Sequence, residues 1–233
     1  MLEAQHVSKC YVQGRWYSRN RYRVTALDDV SLTIPARSTV ALVGESGAGK
    51  STLGRCLARL EEPDSGEIRF EGRNLLTLRS EELFAARCNI QFIFQDSATA
   101  MNPRLSASEV VEEPLLIQTG MASATRREQA HAMMEQVGIS PQWARRLALE
   151  FSGGQRQRLA IARALMLKPR LLILDEALSS LDLPIQAQIT KLLLDLQASL
   201  SLAYLFITHD LGLAARLADR IAVMRAGNIV GER

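Results

Sequence analysis

The chain predicts an α/β fold: a mostly parallel sheet, an antiparallel β region near the N-terminal end, and an α-helical insertion. Three observations lead there. Short apolar or β-branched runs at residues 38–43 (STVALV), 171–174 (LLIL) and 204–208 (YLFIT) read as strands buried on both faces. Segments of helix-forming composition alternate with these runs, as βα units require. A glycine-rich loop joins the 38–43 run to the opening of a helix at residues 51–58.

In order, residues 1–43 hold several short strand-like runs, the last feeding the glycine-rich loop. Residues 64–94 hold another group of strands after a turn at residues 63–66, Pro-Asp-Ser-Gly. Residues 97–166 are mostly helical in composition. Then come the strand ending at Asp175, a helix over 184–199, the strand before His209, a helix from Leu211 and a last strand pair from Arg220. The expected organisation is one unit over 1–233, with segments 1–96 and 167–233 forming the core and 97–166 a helical subdomain. There is no internal repeat and no low-complexity tract.

Residues 44–51, Gly-Glu-Ser-Gly-Ala-Gly-Lys-Ser, fit GxxxxGK[ST] without a mismatch, and strand, loop and helix stand in register around them. This predicts a P-loop NTPase core. Gly44, Glu45, Ser46, Gly47, Ala48, Gly49, Lys50, Ser51 and Thr52 are the expected phosphate-binding residues. The glycines let backbone N–H groups turn toward phosphate oxygens, and the helix N-terminus adds a favourable dipole. Lys50 is expected to reach the β- and γ-phosphates and the Ser51 hydroxyl to sit on Mg²⁺.

The 171–174 run ends in Asp175 and Glu176, at the strand edge where open α/β sheets bind ligands. With a P-loop upstream, Asp175 is read as a Mg²⁺ residue acting through the metal's water shell. Glu176 is read as the group that polarises the attacking water. Alone, the pair would equally suit a solvated acidic turn. Gln95 ends the strand-like run 90–94 and is expected at the metal and the water. His209 also stands at a strand end and joins the catalytic candidates; His6 and His131 have no comparable context. Ser152, Gly153, Gly154 and Gln155 open a helix with a serine N-cap, a second anion-attracting N-terminus far in sequence from the P-loop.

The net charge of +3 and pI near 8.9 are too mild to argue for nucleic acid. No apolar run approaches the roughly 18 residues that span a bilayer, and residues 1–9 do not resemble a signal peptide. Cys10, Cys56 and Cys88 lack metal-like spacing and read as reduced thiols.

These motifs together resemble the nucleotide-binding subunit of an ABC transporter. The resemblance covers essentially the whole chain: the P-loop, Gln95, residues 151–155 (Phe-Ser-Gly-Gly-Gln), Asp175-Glu176, residues 179–182 (Ser-Ser-Leu-Asp) and His209, in family order. It implies that Ser152, Gly153, Gly154 and Gln155 contact the γ-phosphate of ATP held by an opposite subunit. Asp182 would report across the same interface, and Tyr11 would stack on adenine. The implied cofactors are ATP and Mg²⁺. The implied partners are a second homologous ATPase subunit, as hetero- or homodimer, and two membrane permease subunits, with an extracytoplasmic solute-binding protein acting indirectly. The implied location is the cytoplasmic face of the inner membrane.

Residues 96–104 (Asp-Ser-Ala-Thr-Ala-Met-Asn-Pro-Arg) and 113–115 (Glu-Pro-Leu) resemble the dipeptide, oligopeptide and nickel importer branch. Residues 96–104, next to Gln95, are the expected contact for a permease helix. Ala177, where most of the superfamily has proline, is similar to the second ATPase of nickel and metallophore importers. Peptide-importer ATPases usually extend further than Gly231-Glu-Arg233, which suggests a compact or trimmed member. Residues 14–23 interleave four arginines with three aromatics; single-stranded nucleic acid could stack there, but an extended hairpin of the antiparallel sheet is preferred. A di/oligopeptide importer ATPase and an accessory ABC protein of a soluble complex, as in phosphonate breakdown, are the alternative readings. A DNA-repair or translation ATPase is disfavoured, because neither a long coiled-coil insertion nor a second cassette is present.

Overall fold

The computed structural model describes residues 1–13, 22–95 and 101–233. They form two compact units, residues 1–87 with 203–233, and residues 88–202.

The first unit opens with two long antiparallel strands, β1 (Leu2–Gln13) and β2 (Tyr22–Ile34). β1 pairs on its other edge with β4 (Ser65–Phe70), which pairs with the short β5 (Arg73–Asn74), giving the order β2-β1-β4-β5. Leu2 and Ala4 are buried, then Val7, so the inward set changes from even to odd positions. The register shift between Ala4 and Val7 produces that change, and His6 at φ +54° marks it. The Arg/aromatic stretch of the sequence falls largely on 14–21, outside the described residues.

The same unit carries the strands β3 (Thr39–Val43), β8 (Ala203–Thr208), β9 (Arg220–Arg225) and β10 (Asn228–Glu232), ordered β10-β9-β3-β8. β3 runs parallel to β8 and β9, and β9 and β10 form an antiparallel pair. Every residue of β3 and β8 is buried, which is why both read as unbroken apolar runs. Helix α1 (Lys50–Leu57) buries Leu53, Cys56 and Leu57. Each such leucine contributes about 1.5–3 kcal/mol of burial. Helix α7 (Leu211–Leu217) packs Ala214 against Ala41 and Val43 of β3.

Helix α2 (Ser80–Asn89) lies inside the segment read as a group of strands, between β5 and β6 (Ile90–Ile93). It buries no residue, so it has no apolar face to announce it. Its signals are Glu81 and Glu82 in the first turn and Arg87 in the last.

In the second unit β6 pairs in parallel with β7 (Leu171–Asp175). Three helices pack together there: α3 (Ala107–Gln118), α4 (Ser123–Gln136) and α5 (Gly153–Leu165). α3 starts at a capping box, in which Glu109 accepts from the Ser106 N–H at 2.8 Å and from its hydroxyl at 2.6 Å. Those bonds hold the Glu109 carboxyl below its usual range. Pro114 sits within α3 without ending it. Arg163 of α5 pairs with the neighbouring Glu113 at 2.7 Å, and Val110, Val111 and Leu115 of α3 are buried. Helix α6 (Leu183–Leu200) follows β7. Among the described residues no helix is long and apolar enough to cross a membrane.

Candidate functional site

The site residues fall into two sets, one in each unit. In the first unit β3 ends at Val43, and the chain turns through residues 44–49 into α1 at Lys50. Backbone packing makes the glycines necessary. A Cβ on Gly44 would lie 2.1 Å from the Met224 carbonyl oxygen. One on Gly49, at φ +104°, would lie 2.2 Å from that of Ala26. Lys50, 5% exposed, folds back over the loop and donates to the carbonyl oxygens of Gly44 at 2.8 Å and Glu45 at 2.9 Å. The ammonium is thereby placed on the concave side of a loop whose N–H groups lead into a helix N-terminus. Ser51 and Thr52 follow in the first turn of α1.

His209 belongs to the same unit. The register pairs Val43 of β3 with Thr208 of β8, so the P-loop and His209 leave adjacent parallel strands at the same end. Asp210 caps α7 by accepting from the Leu213 N–H at 3.0 Å, and His209 is exposed just before it. Tyr11 of β1 is half-buried and donates its hydroxyl to Thr52 Oγ1 at 3.5 Å. Burial, then the side-chain contact with Glu61, raises its phenol above the usual range.

The second unit brings Gln95, Asp175 and Glu176 to one strand end. Ile93 of β6 stands opposite Leu174 of β7, so Gln95 and Glu176 each lie two residues beyond a matched pair. Gln95 Nε2 donates to Glu176 Oε2 at 3.3 Å. Asp175 ends β7 and is 4% exposed. Glu176 adopts φ +46°, a conformation costing about 1–3 kcal/mol for a non-glycine residue. The turn is held by Ser179, whose hydroxyl donates to the Glu176 carbonyl at 2.8 Å. The side chain is thus aimed by a strained backbone, a form typical of functional positions.

Ser152 caps α5 in a reciprocal box: its hydroxyl accepts from the Gln155 N–H at 3.4 Å, and Gln155 Oε1 accepts from the Ser152 N–H at 2.9 Å. Ser152 and Gly153 are exposed. A Cβ on Gly154 would come 2.5 Å from Ile185 Cγ2, so this glycine lets α5 approach α6. Phe151 is buried edge-on to Trp143, with ring centroids 6.2 Å apart. Arg156 donates to its carbonyl at 2.8 Å. Asp182 is exposed at the N-terminus of α6 and makes no side-chain cap bond. Within the stretch expected to meet a permease, residues 96–100 lie outside the described residues; Met101 is buried and Pro103 exposed.

Sequence reasoning did not find the walls of the P-loop. The carbonyls of Ala26 and Met224 that close on Gly49 and Gly44 come from remote strands and carry no side-chain signal.

The sequence pattern described as ABC transporter matches residues 27–179. The chain is 46% identical over 231 residues to a probable peptide ABC transporter ATP-binding protein, y4tS, of Sinorhizobium fredii; the match covers 99% of this chain and 65% of that protein. It is 45% identical over 232 residues to the nickel import ATP-binding protein NikE of Rhodospirillum rubrum, covering 100% of this chain and 83% of that one. The chain therefore spans less than two thirds of the first relative's length. Its fold matches the dimeric ATP-binding cassette MJ0796 with ADP and Pi bound at a TM-score of 0.88. Identity there is 30%, over 100% of this chain and 98% of that one.

Proposed function

The chain belongs to the ABC transporter family as an ATP-binding, ATP-hydrolysing domain, and from that premise we propose that it is the energy-coupling subunit of an importer. The observation that carries the reading is the pairing of Gln95 with Glu176 at the end of β7, beside a carboxylate buried at Asp175. That pairing supports a hydrolytic reading over a purely nucleotide-holding one.

Residues 44–52 bind the phosphates, with Lys50 on the β- and γ-oxygens. Glu176 takes the proton of the attacking water, Gln95 touches the metal and that water, and His209 serves as a further catalytic residue. The donors assigned to Mg²⁺ are the oxygens of Ser51, Gln95 and Asp175. Hydroxyl, amide and carboxylate oxygens are the donor types that suit a hard cation taking most of its ligands from phosphate and water. No group of three or more His, Cys, Asp or Glu able to hold a metal occurs among the described residues. When bound, Mg²⁺ neutralises charge developing on the phosphates.

Ser152, Gly153, Gly154, Gln155 and Asp182 act on nucleotide held by a second, homologous ATPase, and 97–166 serves as the helical subdomain between core segments 1–96 and 167–233. In this reading the pair sits on the cytoplasmic face of the membrane under two permeases, with residues 96–104 as the contact, and a solute-binding protein acts indirectly. The exposed Ser152–Gly153 edge favours a partner across α5. Ser152→Ala, at an exposed position, is expected to leave ATP binding by the isolated chain within about twofold. It should lower turnover of the assembled complex by on the order of 10²-fold, as loss of a preorganised anion-stabilising contact does. Unchanged turnover would argue against a composite site.

For the cargo we take nickel or a nickel-metallophore complex, on Ala177, buried behind Glu176, and on the likeness to NikE. The likeness to y4tS favours the peptide reading. Uptake by cells carrying wild type or Glu176→Gln, given radioactive nickel, free and chelated, and a labelled dipeptide, separates them. Loss of nickel uptake is the expected result, and loss of dipeptide uptake alone would assign a peptide importer. No loss of either would move the accessory role in a soluble complex to the front.

A further inference from the structure

The ladder between β1 and β4 ends at Ser8 opposite Ser65. Beyond it a side chain takes over the pairing. Asp64 donates its N–H to the Ser8 carbonyl at 2.8 Å, and its Oδ2 accepts from the Cys10 N–H at 2.7 Å. Its Oδ1 lies 3.5 Å from Lys9 Nζ, which also donates to the Glu62 carbonyl at 2.7 Å and stands 4.0 Å from Glu61. The β1–β2 register shifts between Lys9 and Cys10, so the strand needs this fastening where its other edge is irregular.

Lys9 and Tyr11 are two residues apart and share a strand face. The Lys9 ammonium lies 5.7 Å from the centre of the Tyr11 ring, within cation–π range. Its side chain is 15% exposed, so the charge is held rather than sweeping through solvent. The other end of Tyr11 is tied to Thr52 in the first turn of α1. Beneath this cluster Cys56 is buried, and its thiol is pushed up to about 12, so it stays protonated and takes no part. The turn after α1 thus grips β1 on the residues just before the aromatic ring.

We infer that Asp64, acting through the Cys10 amide and the Lys9 ammonium, is a positioning residue that holds Tyr11 in the pose from which its ring stacks on the base of the bound nucleotide. The inference rests on Tyr11 being the base-stacking aromatic. Asp64 touches neither base nor phosphate in this scheme, so its effect is confined to ligands that carry a base.

The test is equilibrium binding of ATP and of inorganic tripolyphosphate to the full chain. Tripolyphosphate engages the phosphate loop without a base. Tyr11→Ala is expected to weaken ATP binding by roughly 5- to 100-fold, the worth of one stacked base, and to change tripolyphosphate affinity by no more than about twofold, through loss of its long hydroxyl bond to Thr52. Asp64→Ala should weaken ATP by roughly 3- to 10-fold, the equivalent of one net hydrogen bond, again sparing tripolyphosphate. It should add nothing in the Tyr11→Ala background. Lys9→Met should cost roughly 2- to 5-fold by removing the cation. Equal loss of both ligands in Asp64→Ala would show a general folding defect and overturn the inference. So would unchanged ATP affinity in Asp64→Ala where Tyr11→Ala loses it. If Tyr11→Ala itself binds ATP normally, the stacking role of Tyr11 fails, and the positioning role with it.

Discussion

Glu176→Gln is expected to lower ATP turnover in the assembled complex by roughly 10²- to 10⁴-fold, the range that a positioned general base supplies, while ATP binding is retained. The substitution is nearly isosteric and keeps a carbonyl oxygen. Gln95 can therefore still donate to position 176 as it does now at 3.3 Å. The backbone at φ +46° is indifferent to a change beyond Cβ, and the Ser179 hydroxyl bond goes to the residue 176 carbonyl rather than to its side chain. Folding and nucleotide affinity are thus insulated from the change, and what is lost is the capacity to accept a proton from water. Single-turnover hydrolysis alongside nucleotide binding checks this. A normal rate with normal binding would remove Glu176 from the role of base.

Lys50→Ala should act on the step before. Removing the ammonium deletes both its bonds to the Gly44 and Glu45 carbonyls and the only cation on residues 44–52. Contacts of the ammonium with the β- and γ-phosphates are worth about 1.5–3 kcal/mol each, so without them ATP affinity is expected to fall on the order of 10²-fold or more. The competing explanation is a collapsed loop. Leu53, Cys56 and Leu57 still anchor α1, and the glycine contacts with Ala26 and Met224 do not involve position 50. Stability should therefore fall by about 1 kcal/mol, a thermal midpoint shift of about 2–4 °C for a chain of this size. Retained ATP affinity would undercut the phosphate role of Lys50. A midpoint drop of tens of degrees would assign the loss to folding.

The local grammar of the chain was legible in the sequence. A parallel strand buried on both faces is apolar along its middle, and β3, β7 and β8 are, with Thr39, Asp175 and Thr208 only at their ends. A helix N-terminus wants a serine or aspartate cap, and Ser152 and Asp210 provide one. The placement of Gln95 and Glu176 at one edge follows from two apolar runs of matched phase ending in polar residues. Less legible was α2, which lacks a buried face, so periodicity had nothing to register. Pro114 is the opposite case. It argues locally for a break, yet buried Val110, Val111 and Leu115 and the pairing of Glu113 with Arg163 keep α3 continuous.

By itself the sequence determined which residues could turn, cap, coordinate or accept a proton, because those capacities reside in a side chain and its near neighbours along the backbone. Tertiary structure alone decided what presses on them. The Ala26 and Met224 carbonyls that close on the P-loop glycines, the Ile185 methyl that reserves Gly154 and the Asp64 carboxylate that fastens the strand before Tyr11 all arrive from distant chain segments. Close packing brings such groups within van der Waals contact of residues far away along the chain. A backbone carbonyl, identical at every position, leaves no letter in the sequence to announce it.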